Sequence, residues 1–274
     1  MPAVEKILEQ QEVADLKNRV ALVTGGNSGI GHAIAKRLAR DGADVVINGI
    51  VSDEEGGAVA LELASAHGVS ARYLRADLRN PAEIETMIRA VEQEHGAIQI
   101  LVNNAGMQHV SNIEDFPVDK WNDMLALNLS ASFHTIRLAL PAMRKHGWGR
   151  IINMASISGL RGRAGKVAYN ATKHGLIGLT KSVALETATT DITCNAICPG
   201  WALTALVQKQ VDALAARESL DNEAATRMLL GARQPSGRFV TVDQLASLAS
   251  YLCSDDAQEV RGAAWTMDGA TTAA

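Results

Sequence analysis

Residues 24–31 read Thr-Gly-Gly-Asn-Ser-Gly-Ile-Gly and lie between a short apolar run and an amphipathic segment, Gly29–Arg40. The pattern predicts a buried strand, a glycine-rich turn and a helix. Backbone N–H groups and the helix dipole make such a turn an anion site. Gly25 permits the tight turn, Gly29 a close approach to the ligand and Gly31 close packing of the helix. A glycine cluster alone is weak evidence, but its place after the first strand favours a pyrophosphate site.

Short apolar runs alternate with longer amphipathic segments along the rest of the chain. The predicted strands are Arg19–Thr24, Asp44–Asn48, Ser70–Arg75, Ile98–Val102, Arg150–Met154, Ile192–Ile197 and Ala264–Met267. The predicted helices are Gly29–Arg40, Asp53–Ala66, Pro81–His95, Trp121–His146, Tyr169–Ala188, a looser Leu203–Leu230 and Val242–Leu252. Regular alternation with continuously apolar strands predicts an α/β fold: a parallel sheet with helices on both faces.

We therefore predict one doubly wound, Rossmann-type domain over residues 16–274, with about seven parallel strands. Residues 1–15 form an N-terminal extension, in which Glu5–Val13 is either a short helix or disordered. The segment at about 203–230 has few strong stop signals and is expected to act as a lid.

Composition excludes several classes of protein. The chain has 274 residues, of which 47% are hydrophobic, and a net charge of -4. The sequence contains no block of Lys and Arg of the kind that would indicate binding to nucleic acid or to an anionic membrane. The charged N-terminal segment does not resemble a signal peptide, and no run of about 18 apolar residues predicts a transmembrane helix. Cys194, Cys198 and Cys253 suggest neither a disulfide framework nor a metal site, so we expect the cytoplasm.

Further motifs follow the glycine-rich turn in a fixed order. They are Asp77-Leu78 after the third strand, Asn103-Asn104-Ala105-Gly106 after the fourth, Asn128, Ser156, Tyr169-x-x-x-Lys173 and Pro199-Gly200. Together with Thr-Gly-x-x-x-Gly-x-Gly at 24–31, they resemble the short-chain dehydrogenase/reductase family over about residues 15–270. The resemblance implies that a nicotinamide dinucleotide is bound. The implied cofactor-binding residues are Gly25, Asn27, Ser28, Gly29, Ile30, Gly31, Asp77, Leu78, Asn104, Ala105, Gly106, Tyr169, Lys173, Pro199, Gly200 and Thr204.

Tyr169 and Lys173 are one helical turn apart, so both side chains lie on one face. A nearby ammonium, like the positive charge of an oxidised nicotinamide, lowers the pKa of a phenol and makes Tyr169 a usable general base. Ser156 can hydrogen-bond the substrate oxygen. The resemblance implies that Lys173 also holds the nicotinamide ribose and that Asn128 anchors a proton-relaying water. Taken singly, each residue could equally be a core aromatic or a solvated polar group.

The end of the second strand usually decides which nicotinamide dinucleotide is bound. Here it reads Asn48-Gly49-Ile50-Val51, with neither an acid for the ribose nor a cation for a 2′-phosphate. We predict NAD. The resemblance implies that Asp77 meets the adenine.

The loops resemble those of the D-3-hydroxybutyrate dehydrogenases within the family, on Gln108, Lys166, the run 199–204 and Gln210. The resemblance implies that Gln108, Lys166 and Gln210 hold a carboxylate, that Trp201 walls the methyl side and that Thr204 contacts the nicotinamide amide. A cation with amide donors suits a small carboxylate. Two features depart from this pattern. Ser158 replaces a His, and the C-terminal residues lack an aromatic.

The sequence therefore predicts an NAD-dependent dehydrogenase of a small 3-hydroxy acid, with D-3-hydroxybutyrate as first candidate, in ketone body metabolism. The alternatives are a 3-oxoacyl thioester or sugar-alcohol reductase on the same scaffold and a dinucleotide-binding regulatory protein. A thioester would not need Lys166 and the two Gln residues. The family resemblance implies a homotetramer. No metal, nucleic acid or membrane partner is indicated.

Overall fold

The computed structural model describes residues 14–273, without the side chains of Leu206 and Ala232. Nearly all of the predicted extension at residues 1–15, including Glu5–Val13, lies outside the described residues. The strands are β1 Val20–Val23, β2 Asp44–Gly49, β3 Ala71–Arg75, β4 Ile100–Asn103, β5 Gly149–Met154, β6 Ile192–Pro199, β7 Ala202–Leu203, β8 Val240–Thr241 and β9 Ala264–Met267. The α-helices are α1 Gly29–Arg40, α2 Asp53–His67, α3 Pro81–His95, α4 Val118–Leu125, α5 Ala131–His146, α6 Val167–Glu186, α7 Ala205–Glu218, α8 Asn222–Leu230 and α9 Val242–Cys253.

The main sheet confirms the predicted seven-stranded parallel architecture. Its order is β3-β2-β1-β4-β5-β6-β9, and every neighbouring pair is parallel. The direction of winding reverses between β1 and β4, which leaves a crevice at their carboxyl ends. In open sheets of this kind, ligands bind at that switch point.

Helices cover both faces of the sheet. On one face α1 packs against α9, and Leu38 and Leu245 belong to the same buried cluster. On the other face α3 packs against α5, with Ile88 and Ile136 in a second cluster. Burying each Leu or Ile contributes about 1.5–3 kcal/mol, so these two layers supply much of the stability of the fold.

Two predicted helices are interrupted in the structure. Trp121–His146 was predicted as one helix, but a π-helical turn at Ala126–Ser130 separates α4 from α5. Leu203–Leu230 contains two helices, because Ser219 adopts φ +54° and Asp221 caps α8 by accepting from the N–H of Ala224 at 2.6 Å. Apolar periodicity cannot reveal an inserted turn residue or a change of direction. The other predicted boundaries agree with the structure to within two residues.

The three cysteines are buried and unpaired. Burial raises the pKa of the Cys198 thiol to about 11 and that of Cys253 to about 12. Within residues 14–273, no helix has the length and apolar character needed to cross a bilayer. Over the same range, no group of three or more His, Cys, Asp or Glu side chains is placed to hold a metal ion.

Candidate active site

The glycine-rich turn between β1 and α1 leaves the start of α1 open to an anion. Ser28 is the N-cap residue, yet its side chain makes no capping hydrogen bond, and the first turn has no acidic residue. The first N–H groups of a helix lack intrahelical partners, so a phosphate can accept from them. Gly29 has φ +56°, and a Cβ there would meet only Thr204 Cγ2, at 3.8 Å. At Gly31 a Cβ would lie 2.2 Å from the carbonyl oxygen of Gly25, so glycine is required for packing.

The loop after β4 is fixed against this turn. Asn104 Nδ2 donates to the carbonyls of Thr24 at 2.9 Å and Gly25 at 3.2 Å. The Thr24 hydroxyl accepts from the N–H groups of Asn104 and Ala105, at 2.9 and 3.0 Å. The predicted dinucleotide residues on β1 and β4 thus form one rigid wall of the crevice.

Ser156, Tyr169 and Lys173 come together at the carboxyl end of β5. Ser156 Oγ accepts from the N–H of Ser158 at 3.1 Å, and its hydroxyl lowers the pKa of the neighbouring Tyr169 phenol. Lys173 is 4% exposed; its Nζ donates to the Met154 carbonyl at 2.5 Å and lies 5.7 Å from the centroid of the Tyr169 ring. A hydroxyl, a phenol and an amine therefore converge on one cavity.

The predicted carboxylate-binding residues border the same cavity. Lys166 immediately precedes α6, and its Nζ donates to Gln108 Oε1 at 2.7 Å. The same Nζ lies 5.5 Å from the centroid of the Tyr169 ring, so a cation and the phenol flank the space that a substrate would enter. The cavity has a volume of about 560 Å³. Of the predicted site residues, it is lined by Ile30, Asn104, Gly106, Gln108, Ser156, Lys166, Tyr169, Lys173, Pro199, Gly200, Trp201 and Gln210.

The model of the short chain dehydrogenase family matches residues 19–215. That span includes the glycine-rich turn and the cluster of Ser156, Tyr169 and Lys173. The chain belongs to the short-chain dehydrogenase family. It is an oxidoreductase, and its cofactor is a nicotinamide dinucleotide.

Similar proteins cover nearly the whole of this dehydrogenase. The D-beta-hydroxybutyrate dehydrogenase of Cupriavidus necator is 52% identical over 93% of this chain and 98% of its own length. The enzyme of the same name from Rhizobium meliloti is 48% identical over 93% of this chain and 99% of its own. The crystal structure of L-sorbose reductase from Gluconobacter frateurii, complexed with NADPH and L-sorbose, has a TM-score of 0.88 and 30% identity, over 93% of this chain and 97% of that one.

Asn128 lies behind the cavity rather than in its lining. Its Oδ1 accepts from the N–H of Met107 at 2.8 Å, and its Nδ2 donates to the Met107 carbonyl at 2.9 Å. Nδ2 also lies 3.4 Å from Thr172 Oγ1 on α6. The π-helical turn that carries Asn128 therefore joins the loop after β4 to the helix that carries Tyr169.

A second cavity, of about 840 Å³, lies at the carboxyl ends of β2 and β3. Asp77 lines it, although its carboxylate is paired with Arg79 at 2.6 Å, which lowers the pKa of the carboxyl group. Leu78 is buried in the core, so only its backbone is available to a cofactor. Asn27 packs against the end of β2. Its Oδ1 is so close to Gly49 that a Cβ on this glycine would lie 2.5 Å from it.

Asn48 faces the interior of the protein. It is 1% exposed, and its Nδ2 donates to the carbonyls of Leu74 at 3.2 Å and Ala76 at 3.1 Å. The next outward-facing position is Ile50, which is 68% exposed and lines the cavity at the end of β2. Ile50, and not Asn48, is therefore the exposed side chain at this end of β2.

Two further predicted residues, Trp201 and Thr204, lie on the segment between β6 and α7. Thr204 caps α7 by accepting from the N–H of Val207 at 3.4 Å, above the glycine-rich turn. Trp201 is held by a residue to which the sequence analysis gave no role: Gln234, 0% exposed, accepts from the Trp201 N–H at 2.7 Å. Gly200 permits this contact, since a Cβ would lie 2.7 Å from Gln234 Oε1.

Arg163 is a charged lining residue to which the sequence analysis gave no role. Its Cζ lies 5.6 Å from the centroid of the Trp201 ring, and its carbonyl accepts from Asn170 Nδ2 at 2.9 Å. Nothing in the local pattern separates a loop arginine that faces a cavity from one that faces water. Only its position three residues before Lys166 could have drawn attention to it.

The effect of Lys173 on Tyr169 differs from the expectation. Burial is the largest influence on the pKa of Tyr169 and raises it, while the hydrogen bond to Ser156 acts in the opposite direction. Burial also lowers the pKa of Lys173 to about 8. Desolvation disfavours charge on both groups, and it is the largest influence on each of the two pKa values.

Proposed function

We propose that this protein is an NAD-dependent 3-hydroxy acid dehydrogenase, with D-3-hydroxybutyrate as its first candidate substrate, which would place it in ketone body metabolism. The observation that carries the proposal is the position of Lys166. Its ammonium is bonded to Gln108 and lies 5.5 Å from the Tyr169 ring. One short molecule can therefore reach both residues, with its carboxylate at Lys166 and its alcohol at Tyr169. The two relatives named D-beta-hydroxybutyrate dehydrogenase support the same assignment.

The cofactor site fits a dinucleotide. The uncapped start of α1 offers N–H donors to a pyrophosphate, and Ile30, Asn104 and Lys173 line the cavity into which a nicotinamide would extend. When bound, oxidised nicotinamide supplies the hydride acceptor and a positive charge. We assign the contacts of the pyrophosphate to residues 25–31, of the adenine to Asp77, of the ribose to Lys173 and of the amide to Thr204.

The residues of the cavity divide the chemistry of alcohol oxidation. Tyr169 Oη takes the hydroxyl proton of the substrate, while a bound nicotinamide would accept the hydride from the carbon that bears the hydroxyl. Ser156 holds the substrate oxygen. Since burial raises the pKa of Tyr169, the positive charges of Lys173 and of the cofactor are needed to favour its deprotonated form. Gln108, Lys166 and Gln210 bind the carboxylate, and Trp201 covers the opposite side. Asn128 acts as a positioning residue between the loop after β4 and α6.

The charges around the second cavity support NAD. Asp53 and Glu83 line it together with Arg72 and Arg75, and Arg72 is paired with Glu94. No cation occurs in residues 48–51. A 2′-phosphate would therefore enter a region where carboxylates offset the arginines.

Steady-state kinetics test the substrate and the cofactor together. We expect the highest kcat/KM for D-3-hydroxybutyrate with NAD, lower values with NADP, and lower values for L-3-hydroxybutyrate and for longer 3-hydroxy acids. Equal or reversed use of NADP would refute the interpretation of residues 48–51. Faster reduction of 3-oxoacyl thioesters or sugars would favour the reductase alternative, for which the likeness to L-sorbose reductase is the specific support. Dinucleotide binding without any turnover would favour a regulatory protein.

We also propose that α7 and α8 form the lid, at about residues 203–230. Val211, Ala215 and Ala225 build a small apolar cluster, separate from the clusters on the main sheet. A segment with its own core can move without opening the rest of the fold. We expect amide hydrogen exchange in this segment to slow when NAD and the acid are both bound, because closure excludes water. Peptides from β4 and β5 serve as the internal control. Unchanged exchange in the lid under saturating ligands would contradict a mobile lid.

The assembly and the location of the protein are also proposals. We propose a homotetramer, supported by the exposed apolar side chains of Val118, Phe133 and Leu185 on three successive helices, α4, α5 and α6. We propose the cytoplasm because the three cysteines are free thiols.

A further inference from the structure

The proposed substrate cavity holds more positive charge than one carboxylate requires. Lys166 and Arg163 both line it, and Arg233 Cζ lies 5.8 Å from the Trp201 ring that forms its wall. None of the ion pairs between described residues involves any of these three cations. The charged groups that act on Lys166 are Arg163 and Arg233, and both lower its pKa. An unbalanced cluster of this kind is stabilised by an anionic ligand.

The two lining cations have different neighbours in the cavity. Lys166 is bonded to Gln108 at 2.7 Å, on the side assigned to the carboxylate. Arg163 lies over Trp201, with its Cζ 5.6 Å from the ring centroid, on the side assigned to the methyl group of a 3-hydroxy acid. A methyl group gains nothing from a guanidinium, whereas a second carboxylate can bind it through two hydrogen bonds.

The loop that carries Arg163 is anchored at several points. The Arg163 carbonyl accepts from Asn170 Nδ2 at 2.9 Å and from the N–H of Lys166 at 3.3 Å. The Gly165 carbonyl accepts from the N–H of Ser111 at 3.0 Å. Ser158, a small side chain, lines the cavity close by and leaves room for a longer substrate. Arg163 is therefore held at the cavity by its backbone.

We propose that this site accepts 3-hydroxy dicarboxylic acids, with Lys166 binding one carboxylate and Arg163 the other. The proposal rests on the proposed function, since the alcohol lies between the two acid groups at Tyr169. The reaction is the same: the carbinol carbon loses a hydride to NAD, the hydroxyl proton passes to Tyr169, and a 3-oxo dicarboxylic acid is formed.

The test uses 3-hydroxyglutarate, which carries a carboxylate on each side of the hydroxyl and has no stereocentre. Wild-type protein is expected to oxidise both 3-hydroxyglutarate and D-3-hydroxybutyrate with NAD. In Arg163→Gln, the ratio of the two kcat/KM values, dicarboxylate over monocarboxylate, is expected to fall roughly 10–150-fold, the loss of one charge-assisted hydrogen bond of about 1.5–3 kcal/mol. Arg163→Lys keeps the charge but loses the planar fork, so an intermediate fall is expected.

Arg161→Gln is the matched control. Arg161 is on the same loop but donates to the Thr271 carbonyl at 2.8 Å and is not among the residues that line the cavity, so the ratio should not change. Retained NAD binding and turnover of D-3-hydroxybutyrate by Arg163→Gln show that the variant is folded.

Three results would overturn the proposal. If the wild-type protein oxidises D-3-hydroxybutyrate but not 3-hydroxyglutarate, the dicarboxylate inference is wrong and the proposed function stands. If Arg163→Gln slows both acids equally, Arg163 acts on the shared carboxylate or on the loop, and not on a second acid group. If the wild-type protein oxidises neither acid, the proposed function fails and the inference fails with it.

Discussion

Tyr169→Phe is expected to lower kcat for the oxidation of D-3-hydroxybutyrate by about 10²–10⁴-fold, because the substitution removes the hydroxyl that we propose takes the alcohol proton. Tyr169 lines the cavity together with Ser156, Lys166 and Lys173. The aromatic ring and its packing remain in the variant. The measurement is kcat at saturating NAD and acid.

The control for this prediction separates chemistry from folding. Tyr251→Phe makes the same change on α9, where the ring packs against Trp265 with centroids 6.0 Å apart, and should leave kcat unchanged. Tyr169→Phe should still bind the reduced cofactor, and the fluorescence of that cofactor measures the binding. Turnover by Tyr169→Phe close to that of the wild-type protein would refute the assignment of the general base.

Lys166→Ala is expected to lower kcat/KM for D-3-hydroxybutyrate roughly 10–150-fold, the effect of losing a charge-assisted hydrogen bond worth about 1.5–3 kcal/mol. The loss should be confined to substrates that carry a carboxylate. A methyl ester of the same acid presents no anion to Lys166, so its kcat/KM should change little. Steady-state kinetics with the acid and the ester measure both effects.

In the wild-type protein, the advantage of the acid over the ester should depend on pH, because it requires a charged Lys166. Burial, followed by Arg163 and Arg233, lowers the pKa of Lys166 to about 8. The amine is charged below that pH and neutral above it, so kcat/KM for the acid should fall as the pH rises through about 8. Lys173 also titrates at about 8 but affects acid and ester alike, so the ratio of acid to ester isolates Lys166.

Lys145→Ala is the matched variant for this experiment. Lys145 is exposed near the end of α5 and does not line the cavity, and its loss should not alter the ratio of acid to ester. If Lys166→Ala slows acid and ester equally, Lys166 does not bind the carboxylate, and the general reductase alternative becomes the better hypothesis.

The sequence was sufficient to predict the sheet and its covering helices, because their signals are local and repeated. Continuous apolar strands such as Val20–Val23 and capped helices such as Pro81–His95 carry the information in their own residues. The break at Ser219 and the π-helical turn at Asn128 were not predicted. Both depend on one residue whose backbone conformation or side-chain partner lies outside any apolar pattern.

The candidate site likewise has features that the sequence could predict and others that depend on the folded structure. The position of Tyr169 and Lys173 on one face of a helix was predictable from their spacing. In the structure, Ser156 lines the same cavity as both of them. Whether Arg163 faces the cavity depends on how the loop before α6 folds, and that is decided by bonds to Asn170 and Ser111. The shift of the Tyr169 pKa was misjudged because desolvation is a property of the packed structure, whereas the neighbouring ammonium is visible in the sequence.

If the protein uses NAD, as proposed, its redesign toward NADP begins at Ile50. Asn48 is the last residue of the strand predicted from the sequence. Its amide is buried and donates to two carbonyls near the end of β3. An arginine there would break those bonds and bury a charge, so the protein would be destabilised before its coenzyme choice could change. Ile50 is exposed at the rim of the adjoining cavity, where Arg75 already supplies one cation. Coenzyme preference in this fold can therefore evolve at the surface while β2 stays intact.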